Sequence, residues 1–452
     1  MPSSDPRRAR RPLVVGVLLG SAAGLVGVQV NALGPFQGVS MLLVGLSFLT
    51  ALLWKDRAPL ARVRLTSLDY SFLLLLIAWG MLELVNSGEL RHSPFIGVLL
   101  TVGVAYAATF PVRMVVRAPS DLAPFLRGFS APGVLVALIA IAQLLRVPGV
   151  NEVLVQITSS GGLAERLSSG WDIRGTSTIG HWTALGGYLA CVIAASCVDL
   201  IISSAGTKLA PWPVAALTVL FAGAVTTLTF ATIGAAAVIL ALTALRLKAR
   251  PVLVLSGAAV LAAGWLVLGQ SIAARLEQQS GQSQYAIAQY SWLPQTIGYR
   301  VNIWVTETLP AIAERPLSGW GTQVYSAVDK GWPVRPSSLV WVSPESEWMR
   351  TLIASGVLGL LPEVLLLLVA FAVVLRSRRM LGAAAVFPVT ILLVVLVVIS
   401  TIHSHFSNPG VPLALWPLVF AVAVAARRAK TPPVPPSSKA ESPKRRRQHL
   451  PR

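Results

Sequence analysis

The sequence has little charge, little histidine and almost no cysteine. Of its 452 residues only 12% are Asp, Glu, Lys or Arg, while 54% are hydrophobic. A soluble domain carries about twice that charge, so an ordinary globular enzyme is excluded. Cys191 and Cys197 stand six positions apart within one apolar block and do not share a helix face. They speak against a disulfide pair or a metal site. No cluster has metal-ligand spacing and no Gly-rich phosphate loop occurs, so no cofactor is expected. Internal repeats of roughly 20 to 50 residues are also missing, which argues against a transporter built from repeats.

What the chain does have is a series of apolar blocks, each long enough for the about 20 helical residues that cross a bilayer. They fall near 12–33, 36–54, 69–86, 94–116, 125–146, 178–203, 210–228, 229–245, 251–271, 347–375, 382–401 and 409–426. The expected fold is all-α, a polytopic integral membrane protein of about twelve transmembrane helices. The stretch 210–245 also reads as one long tilted helix or a re-entrant pair. Arg7 to Arg11 resemble the basic start of a signal peptide, but the following block shows no cleavage site and reads as a retained first helix.

The net charge of +19 comes from basic residues in the gaps between apolar blocks, so topology explains it better than nucleic acid does. With the N-terminus cytoplasmic, 27 of the 37 Lys and Arg fall on the cytoplasmic side, as the positive-inside bias requires. That orientation divides the chain into a basic cytoplasmic N-terminus (1–11), helices one to nine (12–271), a large extracytoplasmic loop (272–346), helices ten to twelve (347–426) and a Pro/Ser-rich, basic, disordered cytoplasmic tail (427–452). A second extracytoplasmic segment spans 147–177. The tail's basic residues suit anionic membrane lipid.

The long loop concentrates the residues that suit chemistry. Arg300, Trp304 and Glu307 share a helix face at i, i+4 and i+7, fitting a helix at the membrane interface that Pro310 would kink. Arg315-Pro316-Leu317-Ser318-Gly319-Trp320-Gly321 then supplies a turn whose glycines allow close backbone approach to a ligand. Arg335 and the acidic pair Glu345 and Glu347 follow, just before the tenth helix.

The series Arg300…Trp304…Pro316-Leu317-Ser318-Gly319-Trp320-Gly321, then Glu345-Ser346-Glu347-Trp348, then Gly356-Val357-Leu358-Gly359 resembles the O-antigen ligase and O-antigen polymerase superfamily. Arg174-Gly175-Thr176 matches the family's earlier arginine-plus-glycine position. The resemblance implies a fold similar to the GT-C-like glycosyltransferases that use lipid-linked donors. It implies glycosyl transfer, without metal or nucleotide sugar, from a polyprenyl-pyrophosphate-linked oligosaccharide to a hydroxyl of a glycan or lipid-glycan acceptor. The setting it implies is the outer side of a bacterial inner membrane.

For that reaction Arg300 and Arg174, with Arg335 as a third candidate, would stabilise the departing lipid diphosphate through bidentate hydrogen bonds. Many relatives carry a histidine where this chain has Glu345, and the long loop has no histidine, which tilts the expectation toward a polymerase. Glu345, and after it Glu347, would then activate or orient the acceptor, although capping the tenth helix suits both carboxylates nearly as well. His181, His403 and His405 sit at the outer ends of helices and could reach the same cavity as proton acceptors or sugar contacts, or could simply be solvated. Trp320 is the candidate for stacking on a sugar, with an interfacial aromatic belt as the plainer use of the loop tryptophans. A Ser-Arg-Gly found in many relatives is replaced by Thr226 to Gly234, without arginine. The rival class is a secondary transporter or lipid flippase, in which Glu363 would be the essential intramembrane charge. A scaffold subunit using the basic tail is a third.

Overall fold

A computed structural model describes residues 6–29, 38–53, 65–87, 102–158, 161–169, 173–204, 208–247, 269–270, 272–274, 276–277, 292–329, 331, 335–340, 343–408 and 410–429. The ninth apolar block, the first part of the long loop and the tail after 429 lie largely outside these residues. The helices that matter below are α1 (Pro6–Gly24), α2 (Val39–Leu53), α3 (Ser67–Ser87), α4 (Val104–Ala107), α5 (Thr109–Val115), α6 (Leu122–Leu144), α7 (Val150–Ile157), α8 (Gly161–Ser168) and α9 (Trp182–Ser203). They continue with α10 (Pro211–Thr226), α11 (Phe230–Ala244), α12 (Gln295–Ile303), α13 (Leu309–Glu314), α14 (Val324–Asp329), α15 (Glu347–Leu381), α16 (Ala383–Ile399) and α17 (Val411–Ala429).

Among the described residues, α3, α6, α9, α15 and α17 are long and apolar enough to cross a membrane, and α2, α10, α11 and α16 are shorter apolar helices. Helix α9 is apolar all round, and every residue from Thr183 to Leu200 is buried, as befits a bundle's central helix. It packs against α6, α10, α11, α16 and α17. Helices α1 and α6 touch backbone to backbone. A Cβ at Gly16 or Gly20 would stand 2.3 Å from the carbonyl oxygen of Phe125 or Phe129, the small-residue packing typical of helices in lipid.

The stretch 210–245 is two helices, not one. They meet at Thr227-Leu228-Thr229, where Leu228 takes a positive φ of 47°. Helix α15 is longer than its apolar block suggests and is broken at Gly356 (φ 60°, ψ −166°). Two arginines counted as loop charges are structural. Arg113 is buried beside the buried Asp69, which also accepts a 2.8 Å hydrogen bond from Tyr106, and Arg127 pairs with buried Asp199 at 3.1 Å. Deleting one partner of the Arg113–Asp69 pair, buried on both sides, costs about 3–5 kcal/mol.

The described part of the long loop has its own small core, in which Ala311, Trp320, Val324 and Leu339 gather around Ile353 of α15. Helices α9, α11, α15 and α17 begin, and α10 and α16 end, at one end of the bundle. The far ends of α15 and α17 carry Arg378, Arg379, Arg427 and Arg428.

Candidate active site

Arg174 is fixed by the segment that carries it. Gln143 of α6 accepts from the amides of Thr176 (2.9 Å) and Ser177 (3.0 Å), and the amide of Gly175 donates to Thr226 at 2.8 Å. A Cβ at Gly175 would meet Thr226 Oγ1 at 2.3 Å, so only glycine lets the segment lie against α10. The Arg174 guanidinium thereby reaches the carbonyl end of α10. Its Nε donates to Thr227 O (3.2 Å), and its Nη2 donates to Leu228 O (2.9 Å) and Thr229 Oγ1 (3.2 Å). A cation there complements the negative end of the helix. Trp182 packs on this guanidinium at 4.7 Å and on that of Arg166 at 4.8 Å, and stacks on His181 at 4.5 Å.

Arg300 comes from α12, which continues through a π-helical turn, Trp304–Thr308, into α13. Pro310 lacks an N–H and its ring would strike the carbonyl four residues back. The widened turn just before it absorbs the misfit, so the expected kink takes the form of a π bulge. Arg300, Trp304 and Glu307 do share a face, directed at the chain leading to α15. Arg300 Nη2 donates to Glu345 Oε2 (3.1 Å), Trp304 Nε1 to Pro344 O (2.6 Å), and the Val340 amide to Glu307 Oε2 (3.0 Å). Nε of Arg300 is buried and has no hydrogen-bond partner.

Glu345 holds a φ of 53° and a side chain 36% exposed. Its Oε2 also lies 3.9 Å from Nδ1 of His403, in the connection between α16 and α17. His405 follows with ring centroids 5.8 Å apart, wholly buried, both ring nitrogens without partners. Burial first, then Arg300, His405, Arg174 and His181, hold the His403 pKa down at about 2. His181, though open to solvent, is lowered to about 4 by burial of its surroundings and by Arg174 and Arg166. His405 is lowered to about 4 by burial and His181. Arg174, Arg300, Glu345, His181 and His403 therefore lie in one electrostatic neighbourhood. Leu228, whose carbonyl accepts from Arg174, and Glu345 are two of the four non-glycine residues with positive φ among those described. Such strain gathers where a site over-determines the backbone.

Three other expected residues stand elsewhere. Glu347 is 1% exposed, accepts from Ser407 N and Oγ at 3.1 Å each, and with Glu363 lines an interior cavity of about 50 Å3. The positive φ at Glu345 turns the chain between the two acids, so only Glu345 faces the cluster. Arg335 is exposed, with one long hydrogen bond to Val328 O (3.4 Å). Trp320, expected to face sugar, is buried. Its Nε1 donates to Ala311 O (3.0 Å) and Arg315 covers its ring at 4.0 Å. The glycines beside it serve the protein, not a ligand. Gly319 and Gly356 let the turn dock on the break in α15, where Trp320 N donates to Ile353 O (2.8 Å), Gly321 N to Ala354 O (2.7 Å) and Val357 N to Pro316 O (2.9 Å). Helix α3 braces this junction: Trp79 Nε1 donates to Gly359 O of α15 (3.0 Å), Asn86 Nδ2 donates to Ser318 O (3.2 Å), and Glu83 Oε1 accepts from the Thr322 amide. Arg166 and Trp182 were not singled out from sequence. The available signal was a second arginine eight positions before Arg174 and an aromatic beside His181. Among the described residues no three His, Cys, Asp or Glu converge as metal ligands.

Residues 214–362, from α10 through the break in α15, match the family model described as O-antigen ligase. The resemblance read from the motifs holds there. The matched segment contains Arg300 and Glu345, whereas Arg174, His181 and His403 reach the same cluster from outside it. No curated protein matches the chain.

Proposed function

We propose that the protein transfers glycan from a polyprenyl-diphosphate-linked donor to an acceptor hydroxyl at the end of the bundle where the cluster lies, on the outer face of a bacterial inner membrane, as a surface-polysaccharide polymerase or an O-antigen-ligase-like enzyme. The observation that carries this reading is the pairing of Arg300 with Glu345 inside the O-antigen-ligase-like segment, with Arg174 close enough to act on the same histidine.

The chemistry follows from charge. When the sugar leaves its lipid diphosphate, negative charge develops on the leaving oxygen, and pre-placed guanidiniums stabilise it most in a site partly shielded from water. Arg300 is suited to that contact because its partly exposed guanidinium is held at the cluster by Glu345 (3.1 Å) and by the carbonyl of Thr296 (2.9 Å). Arg174, tied to the α10 terminus, contributes its field and a rigid wall. Glu345 and the imidazoles supply the acceptor side. The donor brings its own activation, and the residues named here only bind, orient and take up a proton.

Arg300→Ala, assayed for polymer or lipid-diphosphate release in reconstituted vesicles, is expected to lower transfer about 10²–10³-fold at normal protein level. Unchanged glycan chain length would sink the proposal. The transport reading has one observation in its favour, the buried Glu363, which accepts from Thr351 at 2.9 Å in the cavity shared with Glu347. Glu363→Gln separates the two readings, since transfer persists if the carboxylate is structural.

A further inference from the structure

We infer that His403 is the proton acceptor for the attacking hydroxyl and that Glu345 orients it, an assignment that rests on the glycosyl-transfer reading above. The long loop lacks a histidine, yet the connection between α16 and α17 places one against its carboxylate. Nδ1 of His403 lies 3.9 Å from Glu345 Oε2. That distance suits a contact which shortens when substrate closes the site. Nε2 has no hydrogen-bond partner among the described residues and is not among the buried unpaired atoms. A carboxylate on one ring nitrogen fixes the tautomer and leaves the lone pair of the other for the substrate. Glu345 is the poorer acceptor by geometry, because the oxygen that faces the cluster already accepts from Arg300.

The surroundings make the base conditional. Glu345 from the loop and His405 from its own connection lie against His403, and the charges of Arg300 from α12 and of Arg174 and His181 from the segment before α9 act on it. The two arginines repel a proton on its ring. A diphosphate on Arg300 offsets that part of the effect, which adds to burial of the ring, so the imidazole is a better base when donor is present. In the step, the acceptor oxygen bonds to the anomeric carbon while the bond from that carbon to the diphosphate oxygen breaks. The hydroxyl proton goes to Nε2 of His403, and the electron pair leaves with the lipid diphosphate. The imidazolium then releases its proton to water.

The test uses the full-length protein in lipid nanodiscs with polyprenyl-diphosphate-linked oligosaccharide extracted from the membranes of its own host. Release of lipid diphosphate and binding of undecaprenyl diphosphate are measured. If the wild type releases none, the glycosyl-transfer reading itself falls. With the wild type active, His403→Gln is expected to lose about 100-fold in kcat, to bind undecaprenyl diphosphate as before, and to lose the acid limb of the pH profile. Glu345→Gln is expected to keep that limb with a smaller loss. His403→Gln with wild-type kcat and an intact acid limb overturns the assignment. Should that variant not accumulate, His403→Ala with added imidazole decides: recovered release supports the role, and no recovery in folded protein ends it.

Discussion

Arg174 and Arg300 serve one neighbourhood but are held in opposite ways. Arg174 is 7% exposed and its guanidinium spans three oxygens at the α10–α11 turn. Arg300 faces a partly exposed carboxylate and keeps a buried Nε without a partner. The first arginine completes the fold and shapes the field. The second, also held by the carbonyl of Thr296 at 2.9 Å, is the one whose guanidinium opens toward a partly exposed carboxylate and so toward a ligand. Two arginines of one motif series thus divide between structure and chemistry, which their spacing in sequence does not reveal.

The largest effect that tests this division is expected at Arg300. Arg300→Ala removes a donor aimed at developing charge, worth about 10²–10³-fold in rate, while the melting midpoint moves little. A midpoint that falls as steeply as activity would erase the distinction. Arg174→Ala should do the reverse first. It strips the α10 terminus of its donor to three buried oxygens, at about 2–3 kcal/mol, seen as a lower melting midpoint in detergent. Arg174→Lys should recover only part of this, because one ammonium does not match the fork of a guanidinium.

A smaller effect sharpens the electrostatic side. His181, His403 and His405 are all held below the ordinary histidine value of about 6.5 in the folded protein. Their neutral forms therefore favour folding at pH above about 6.5, and that contribution is lost as pH falls toward 4 for His181 and His405 and lower for His403, since unfolding takes up protons. The melting midpoint is expected to drop between pH 7 and pH 5, and His405→Gln to flatten the drop by about one proton. An identical slope in that variant would mean the ring is already charged when folded.

Much of the bundle was legible because crossing lipid demands long apolar helices. The boundaries of α9, α11 and α16 fall within a few residues of their apolar blocks. The face shared by Arg300, Trp304 and Glu307 was legible too, since helical periodicity survives one π turn. The glycines of the Pro316–Gly321 turn were read for the right property and the wrong partner. Periodicity says that backbone comes close there, but the broken helix it meets lies in another part of the chain. Glu345 stood first and Glu347 second among the acceptor-side carboxylates, but nothing in their spacing announces the positive φ that turns only the first toward the cluster. His403 was visible only as a histidine at a helix end, since its nearness to Glu345 depends on how α15, α16 and α17 are bundled.

The smallest expected effect concerns Trp320, whose ring is covered by a third arginine, Arg315. Trp320→Phe keeps an aromatic ring but deletes the indole N–H that donates to Ala311 at 3.0 Å. A packing role predicts a loss of about 1 kcal/mol in stability, with KM for the lipid-linked glycan unchanged, because the ring lies in the loop's core and not at the cluster. A sugar-stacking role predicts the opposite pattern, intact stability with a raised KM. If the second pattern is found, the turn must open in solution, and the contrast between structural and chemical arginines would then have to include Arg315 among those that meet substrate.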